Sequence, residues 1–484
     1  MTHHHTQAVA EYIAGARFDD IPSEIVEHIK LMILDTAGAA LLGAALPWSA
    51  ALRRTLAASE GAGTAAVWGT DLRFSPPTAA MINGTAVHAF EIDDVGAGGH
   101  NGSVTLTSAL ALAEHRAAGD EPLSGPMSGE DLISAVTTGI EVASRVGRCV
   151  GRIPHTEIGF HGPGLTGTFA SAGTAGQALG LDAGQAVDLL GHAGQQAASL
   201  MFTHHGGMGK RLLAGQAARA GTFGALLAAN GFTNAPNVFE AEFGGFPAAH
   251  TGNRGPDAYN LDQLAAGLGT GGSMTDFHSH GVNIKMWACR VPNHPTLEAI
   301  KSLQGRHPLP PEEIERVTIP LAGAPFKNVG WPYVPTTIAS AQLNLQYVTA
   351  IMLLERDVFA HQFTEEKIGA PHVLEMISKI EIVHDTSIGR DVQGNSVELR
   401  LRDGTVLEEW GKVRGGSYAG GNENPVTRDE VVAKFRKMAA GYLDAGAQDE
   451  LIELCARLES EPDATRLIEL MGSGAATPGA GPRT

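Results

Sequence analysis

GFHGPGLTGTFASAGTAGQALGLDAGQAVDLLGHAGQQAASLMFTHHGGMGKRLLA, residues Gly159–Ala214, carries the reading of the fold. His161 and Lys210 stand near its ends, and small residues fill most of the space between. Such a run builds no bulky core by itself. It lets helices approach closely and presents a few polar side chains from loops beside their ends. The spacing predicts one helix before Gly180 and another after Asp182, whose carboxylate suits an N-cap. Lys210–Asn230 reads as a third, stopped by Gly231. We expect this stretch to form one wall of an anion-binding site.

Working outward, the N-terminal half reads as helical throughout. Ile25, Ile29, Met32, Ile33 and Leu41 recur at near-helical spacing in Pro22–Leu42, with Gly43 as the stop. Ser75-Pro76-Pro77 introduces a helix through His88, which ends in the acidic loop Glu91-Ile92-Asp93-Asp94. After a Gly-rich segment, Ser103 is expected to cap a helix ending near Gly119. Ser128-x-x-Asp131 is a capping-box pattern for a helix through about Arg148.

The pattern changes after the linker Gly267–Ser273. Ile314–Leu321, Lys379–His384 and Val397–Leu401 are β-rich, and Asp403-Gly404 marks a hairpin between Ser396–Leu401 and Thr405–Trp410. Pro295–Leu303 and Ser340–Glu355 are helical, and helical patterning returns over Arg428–Met471. The fold class is therefore mainly α with an α+β part. A helical domain takes residues 1–270 and 411–471, an α+β lid takes 271–410, and the tail 472–484 is expected to be disordered.

The 484 residues are 43% apolar and 18% charged, a globular rather than a disordered composition. A net charge of −18 argues against a nucleic-acid or anionic-membrane partner, yet leaves room for a local cationic pocket. Cys149, Cys289 and Cys455 are far apart and fit a reducing compartment. No basic segment followed by an apolar run opens the sequence, so the expected location is cytoplasmic. The 61 glycines show no collagen-like period, which points to dense helix packing and functional loops.

Two nucleotide-like motifs fail on inspection. Gly162-Pro-Gly164-Leu-Thr-Gly167 matches GxGxxG but lacks a convincing preceding strand. In Gly206-Gly-Met-Gly-Lys210-Arg, Arg211 replaces the Ser/Thr that would hold magnesium. Lys210 in a first helical turn opposes the helix dipole, which favours a functional reason for it over a solvated lysine. His204-His205 and His278-x-His280 are the tightest histidine groups, without metal-ligand spacing, so no metal is expected.

Asp93-Asp94 followed by His100 pairs a carboxylate with a histidine, as general acid/base work requires; helix-end chemistry is the plain alternative. Lys285, Arg290 and His294 supply further cations and a histidine before a helix that Pro295 could open. Tyr347, in an apolar helical pattern, reads as core.

Taken in order, ILDTAGAALLGA, HAFEIDD with His100 after it, GFHGPGLTGTFASA, GGMGKRLLAGQAARAG, GFTNAPNVFEAEFGGF, KMWACRVPNHP and AQLNLQYVTA resemble the MmgE/PrpD family. That family includes 2-methylcitrate dehydratases, cis-aconitate decarboxylases and epimerases. The resemblance spans nearly the whole chain and looks nearest to the cis-aconitate decarboxylase branch. It departs in a short, Gly-rich segment before His100, in Phe160 where Trp is usual, and in Arg290 where a second Cys is usual.

The resemblance implies a helical domain formed by both chain ends with an inserted α+β lid, a homodimer, no required cofactor and a small polycarboxylate substrate. It implies that Asp93, His100, His161, Lys210, Lys285 and Tyr347 face a cleft between the domains. On that reading the protein is a lyase on a di- or tricarboxylate. His100, Asp93, Lys210 and Tyr347 are the catalytic residues, and His161, Lys285, Arg290 and His294 bind substrate. Asp93 sets the tautomer of His100, His100 moves a proton beside a carboxylate, and Tyr347 is a second proton-transfer group. An isomerase or epimerase of a substituted dicarboxylate could use the same groups, and a non-catalytic carboxylate-binding protein is a third reading.

Overall fold

The computed structural model describes residues 5–96, 99–119, 125–205, 207–268, 281–389, 394–412, 414 and 425–472. Helix Ser23–Ala44 follows Pro22 and is buried along most of its length. Gly162–Ala178, Ala183–Gln196 and Gly209–Ala229 form where the small-residue stretch predicts them. They pack with Pro76–Val87, Asn101–Ala118 and Gly129–Val150. Ser128 with Asp131, and Asp182 with Gln185, make reciprocal capping boxes, satisfying N–H groups that a helix start leaves open.

Small residues set the spacing of these helices. A Cβ on Gly221 would stand 2.4 Å from the Ala172 nitrogen and the Ser171 Oγ. One on Gly215 would stand 2.3 Å from the Met81 carbonyl oxygen. Alanines 79, 80, 143, 170, 214, 217 and 218 fill the remaining gaps. The excess of glycine is thus explained in part by backbone approach.

Three local expectations are corrected. The helix expected from Ser103 begins at Asn101, because Asp94 reaches across the loop to cap it. The Asp94 carboxylate accepts from the Asn101 N–H at 2.8 Å and the Gly102 N–H at 2.7 Å, while Ser103 donates back to the His100 carbonyl. The helix expected over Ser340–Glu355 breaks into Ile338–Leu343 and Leu345–Glu355, with Asn344 capping the second through the Tyr347 N–H. Helix His5–Gly15 opens the described chain, within the half expected to be helical. The half read as helical throughout also holds one short strand pair, Ala65–Ala66 with Arg73–Phe74, and a second pair joins Val95–Gly96 to Val282–Asn283 of the following segment.

The second pair ties the acidic loop to the segment carrying Lys285. Beyond it lies a mixed four-stranded sheet in the order Ile380–His384, Ile314–Leu321, Asn395–Leu401, Val406–Gly411, with the first pair parallel and the others antiparallel. Helix His294–Arg306 lies against the Asn395–Leu401 and Val406–Gly411 strands. Alternate burial along Asn395–Leu401 gives that strand one core face.

The late helices Arg428–Ala439 and Ala445–Ala456 pack on Ser23–Ala44. Phe435 and Met438 cover Gly38, and the buried Lys434 ammonium lies 2.6 Å from the Asp35 carboxylate. Among the described residues, no single helix is long and apolar enough to cross a membrane. The tail beyond Gly472, most of the Gly267–Ser273 linker and the His278-x-His280 pair lie outside the described residues.

Candidate active site

Helix Pro76–Val87 runs into the short turn His88–Phe90, and the chain reverses at Glu91 in the left-handed region (φ 57°, ψ 23°). That conformation costs a residue with a Cβ roughly 1–2 kcal/mol, so the surroundings must hold it. They do. Gln342 Nε2 donates to the Phe90 carbonyl at 2.9 Å, Lys434 Nζ donates to the Ile92 carbonyl at 2.8 Å, and Val95 pairs with Asn283. The reversal turns Glu91 and Asp93 inward, where both are buried.

Asp93 serves two histidines. One carboxylate oxygen lies 2.9 Å from His88 Nδ1 and 3.1 Å from His100 Nδ1. His100 Nδ1 is also 2.8 Å from the Asp94 carbonyl. Oxygens that only accept surround that nitrogen, so it carries the hydrogen and leaves Nε2 for a ligand. Burial pushes the Asp93 pKa up, but His100, His88 and Lys285 outweigh it and hold the carboxyl well below its usual range. Burial, against the pull of Asp93, drives His88 down to about 3, so its ring is neutral.

Glu91 gathers the cations. Lys210 Nζ and Arg211 Nη1 both reach its Oε1, the latter at 2.6 Å, and Lys285 Nζ lies 3.9 Å from Oε2. Lys285 is also 3.7 Å from the other Asp93 oxygen. Against the cost of burial, Lys210, Lys285 and Arg211 hold Glu91 well below the carboxylate range. Burial pulls Lys210 down and Glu91 lifts it, leaving it at about 8. His88 Nε2 lies 3.4 Å from the same ammonium. Lys210 in a first helical turn is thus compensated by a carboxylate brought from another element.

Four of these groups, Glu91, His100, Lys210 and Lys285, border a cavity of about 330 Å³. Glu91, His100, His161, Lys210, Lys285 and Arg290 line it, with His155 exposed beside them. His161 ends the loop before helix Gly162–Ala178, where its N–H donates to the Ser199 carbonyl at 3.1 Å. Asp93 stands behind the wall through His100.

Two expected members lie elsewhere. Tyr347 is fully buried in helix Leu345–Glu355, its hydroxyl donates to the Gln362 carbonyl, and its ring packs on Tyr333 and Phe363. Burial, then Tyr333 and Glu355, push its pKa up. The residue expected to transfer a second proton therefore lies outside the cavity lining, with its hydroxyl hydrogen on a backbone carbonyl. His294 opens helix His294–Arg306, with Nε2 3.4 Å from the Cys289 carbonyl. Burial and then Lys285 take it down to about 3, and it is not a lining residue.

His88, Asp93 and His100 bring three potential ligand atoms within 4.8 Å of one another. Their contacts fit two ring N–H groups donating to one carboxylate oxygen, and a protonated Nδ1 has no lone pair for a metal.

The MmgE/PrpD N-terminal domain model matches residues 7–257 and the MmgE/PrpD C-terminal domain model matches residues 287–460. The chain belongs to the MmgE/PrpD family. This MmgE/PrpD protein is 29% identical over 488 residues to a cis-aconitate decarboxylase of Aspergillus terreus, covering 98% of this chain and 97% of that one. It is 28% identical over 478 residues to the cis-aconitate decarboxylase-like protein oryM of Aspergillus oryzae, with 96% and 97% covered. With the human cis-aconitate decarboxylase it shares 27% over 477 residues, with 96% and 94% covered. These likenesses support a lyase at the level of the family.

Sequence reasoning about this MmgE/PrpD protein missed Glu91, His88, Arg211, Gln342 and His155 as site residues. His88, Glu91 and Asp93 fall within six residues of one acidic loop, and that density was the available signal. Gln342 gave none. It accepts from Arg211 at 2.7 Å and donates to the Phe90 and Ala288 carbonyls, contacts set only by the fold.

Proposed function

We propose that this protein is a lyase that decarboxylates a small unsaturated tricarboxylate of the cis-aconitate type by general acid/base chemistry, with no cofactor. The observation that carries this reading is one cavity in which His100, fixed at Nδ1 by Asp93, faces Lys210, Lys285 and Arg290. The high coverage of the cis-aconitate decarboxylase relatives supports it further. Lys210 and Lys285 hold substrate carboxylates, and His161 adds a polar contact. His100 Nε2 first takes up a proton from solvent while Nδ1 stays bonded to Asp93. As the bond to the departing carboxylate breaks, its electron pair passes into the conjugated carbon framework, CO₂ leaves, and the imidazolium delivers its Nε2 proton to carbon, returning to the neutral ring. The cations stabilise the charge that develops in a partly water-excluded site. We also propose a homodimer.

Purified protein incubated with cis-aconitate, citrate, methylcitrate and amino or imino dicarboxylates, followed by proton NMR in D₂O, tests the reaction. The expected outcome is a five-carbon unsaturated dicarboxylate and CO₂ in equal amounts, with one deuterium on the protonated carbon. Loss of water instead of CO₂, or deuterium exchange with no loss of mass, would refute decarboxylation. His100→Gln should lower kcat by ~10²–10⁴-fold with substrate still bound. Wild-type turnover in that variant would remove His100 from the mechanism.

A further inference from the structure

The cations of the cavity are not equally available. Lys210 is paired with Glu91, and Lys285 lies between Glu91 and Asp93 at 3.9 and 3.7 Å. Arg211, which does not line the cavity, is paired with Glu91 and Gln342. Arg290 differs. Its one side-chain hydrogen bond among the described residues runs from Nη1 to the Asn328 carbonyl at 3.2 Å, and no described carboxylate lies within ion-pair distance. A guanidinium has five N–H donors in a fixed fork, so most of this one's capacity is unspent.

The side chain is half-buried on the cavity wall, and its backbone is fixed. The Arg290 N–H donates to the Gln342 carbonyl at 3.1 Å, and the Asn293 N–H returns to the Arg290 carbonyl at 2.9 Å. Burial lowers its pKa, and only Glu91 opposes that. Holding a charge there without a counter-ion is unfavourable unless a ligand supplies one.

We propose that Arg290 is the specificity-determining residue of a distal-carboxylate subsite, so that the preferred ligand carries one carboxylate for the Lys210–Lys285 side and a further carboxylate for Arg290. This rests on reading the cavity as a polycarboxylate site and adds which carboxylate number it selects. His155 borders the same wall with Nδ1 3.1 Å from the Phe160 carbonyl; burial lowers its proton affinity, the Phe160 carbonyl opposes that, and Arg290 adds a smaller lowering.

The test is calorimetric, with unreactive ligands. Tricarballylate and methylsuccinate differ by one terminal carboxylate, and each is titrated into wild-type protein, Arg290→Gln and Arg290→Lys. Wild type should bind tricarballylate ~30-fold or more tighter than methylsuccinate, as expected for a bidentate charged contact. In Arg290→Gln the gap should collapse to within ~3-fold, chiefly by loss of tricarballylate affinity, and Arg290→Lys should fall between because it is a point charge. An undiminished gap in Arg290→Gln, or an equal loss for both ligands, would overturn the proposal. Should the glutamine variant not fold, an undiminished gap in the lysine variant would do the same. A collapsing gap in a protein that turns over no polycarboxylate would defeat the proposed reaction and leave this subsite standing. Turnover of cis-aconitate with no gap would do the reverse.

Discussion

Glu91→Gln removes one negative charge from a nest of three cations while keeping the shape of the side chain. In the wild type, burial lowers the Lys210 pKa, Glu91 raises it, and Arg211 and Lys285 lower it, for a result of about 8. The other titratable neighbour, His88 at 3.4 Å, is neutral near pH 7. An opposite charge in contact is typically worth ~1–3 pKa units, so the variant should place Lys210 at roughly 5–7. At pH 7.5 the protonated fraction would fall from about three-quarters to a few per cent at the middle of that range. A lysine loses its charge as pH rises through its pKa, so kcat/KM should decline on the alkaline side. That decline should begin near pH 8 in the wild type and ~1–3 units lower in Glu91→Gln. The assay is a kcat/KM profile from pH 5.5 to 9, beside thermal melts, since breaking a buried pair can cost ~3–5 kcal/mol. Glu91→Asp, which keeps the charge on a shorter arm, should raise KM with little movement of the alkaline limb. A Glu91→Gln enzyme that still loses activity only near pH 8 would refute the claim that Glu91 keeps Lys210 charged.

Two further outcomes follow from the buried polar groups. His28, His88 and His294 sit at about 4, about 3 and about 3, each lowered mainly by burial. The unfolded chain therefore binds more protons than the folded one between these values and about 6.5. Stability should be full above pH 6.5 and fall with acidification, by up to ~4 kcal/mol per pH unit near pH 5 if all three contribute. Urea unfolding at pH 7 and pH 5 measures this, and equal stability at both would contradict it. Tyr347→Phe should leave turnover within ~3-fold of wild type and cost ~1–3 kcal/mol in unfolding, because the buried Gln362 carbonyl loses its donor. A kcat loss of a hundredfold without loss of stability would return Tyr347 to the chemistry.

What the sequence made legible was local. Pro22 before a long apolar repeat, the Ser128 and Asp182 capping boxes and the Asp403-Gly404 turn each act within a few residues, and the corresponding elements form. The Ser103 start failed because its cap comes from Asp94, seven and eight residues before the N–H groups it receives. Asn344 broke a continuous helical pattern because its side chain caps the following turn, a choice that periodicity does not register. Within the site, charged residues in loops pointed to His100, His161, Lys210, Lys285 and Arg290, which the fold brings to one cavity. Tyr347 came only from the family resemblance, while the apolar pattern around it read correctly as core. Glu91 and Gln342 went unrecognised because their partners come from distant segments, with Gln342 bridging Arg211, Phe90 and Ala288.

A protein of net charge −18 can present a cationic cavity because its nearest carboxylates are spent before a ligand arrives. Asp94 is occupied by helix N–H groups, Asp93 by two imidazoles and Glu91 by Lys210 and Arg211. Behind them, Asp35 is paired with Lys434, whose ammonium also holds the Ile92 carbonyl. Lys434 belongs to a helix near the end of the chain and Asp35 to one near its start, and both bear on the reversal between Glu91 and Asp93. The strained turn at Glu91 is therefore held by three separate parts of the sequence: Lys434 from the late helix, Gln342 from the segment before Asn344, and Asn283 from the short strand beside Val95. Loss of any one would loosen the loop that carries Glu91 and Asp93, although Asn283, Lys434 and Gln342 are not among the residues that line this cavity. This is why the chemistry of the site depends on segments that a motif search assigns only to folding.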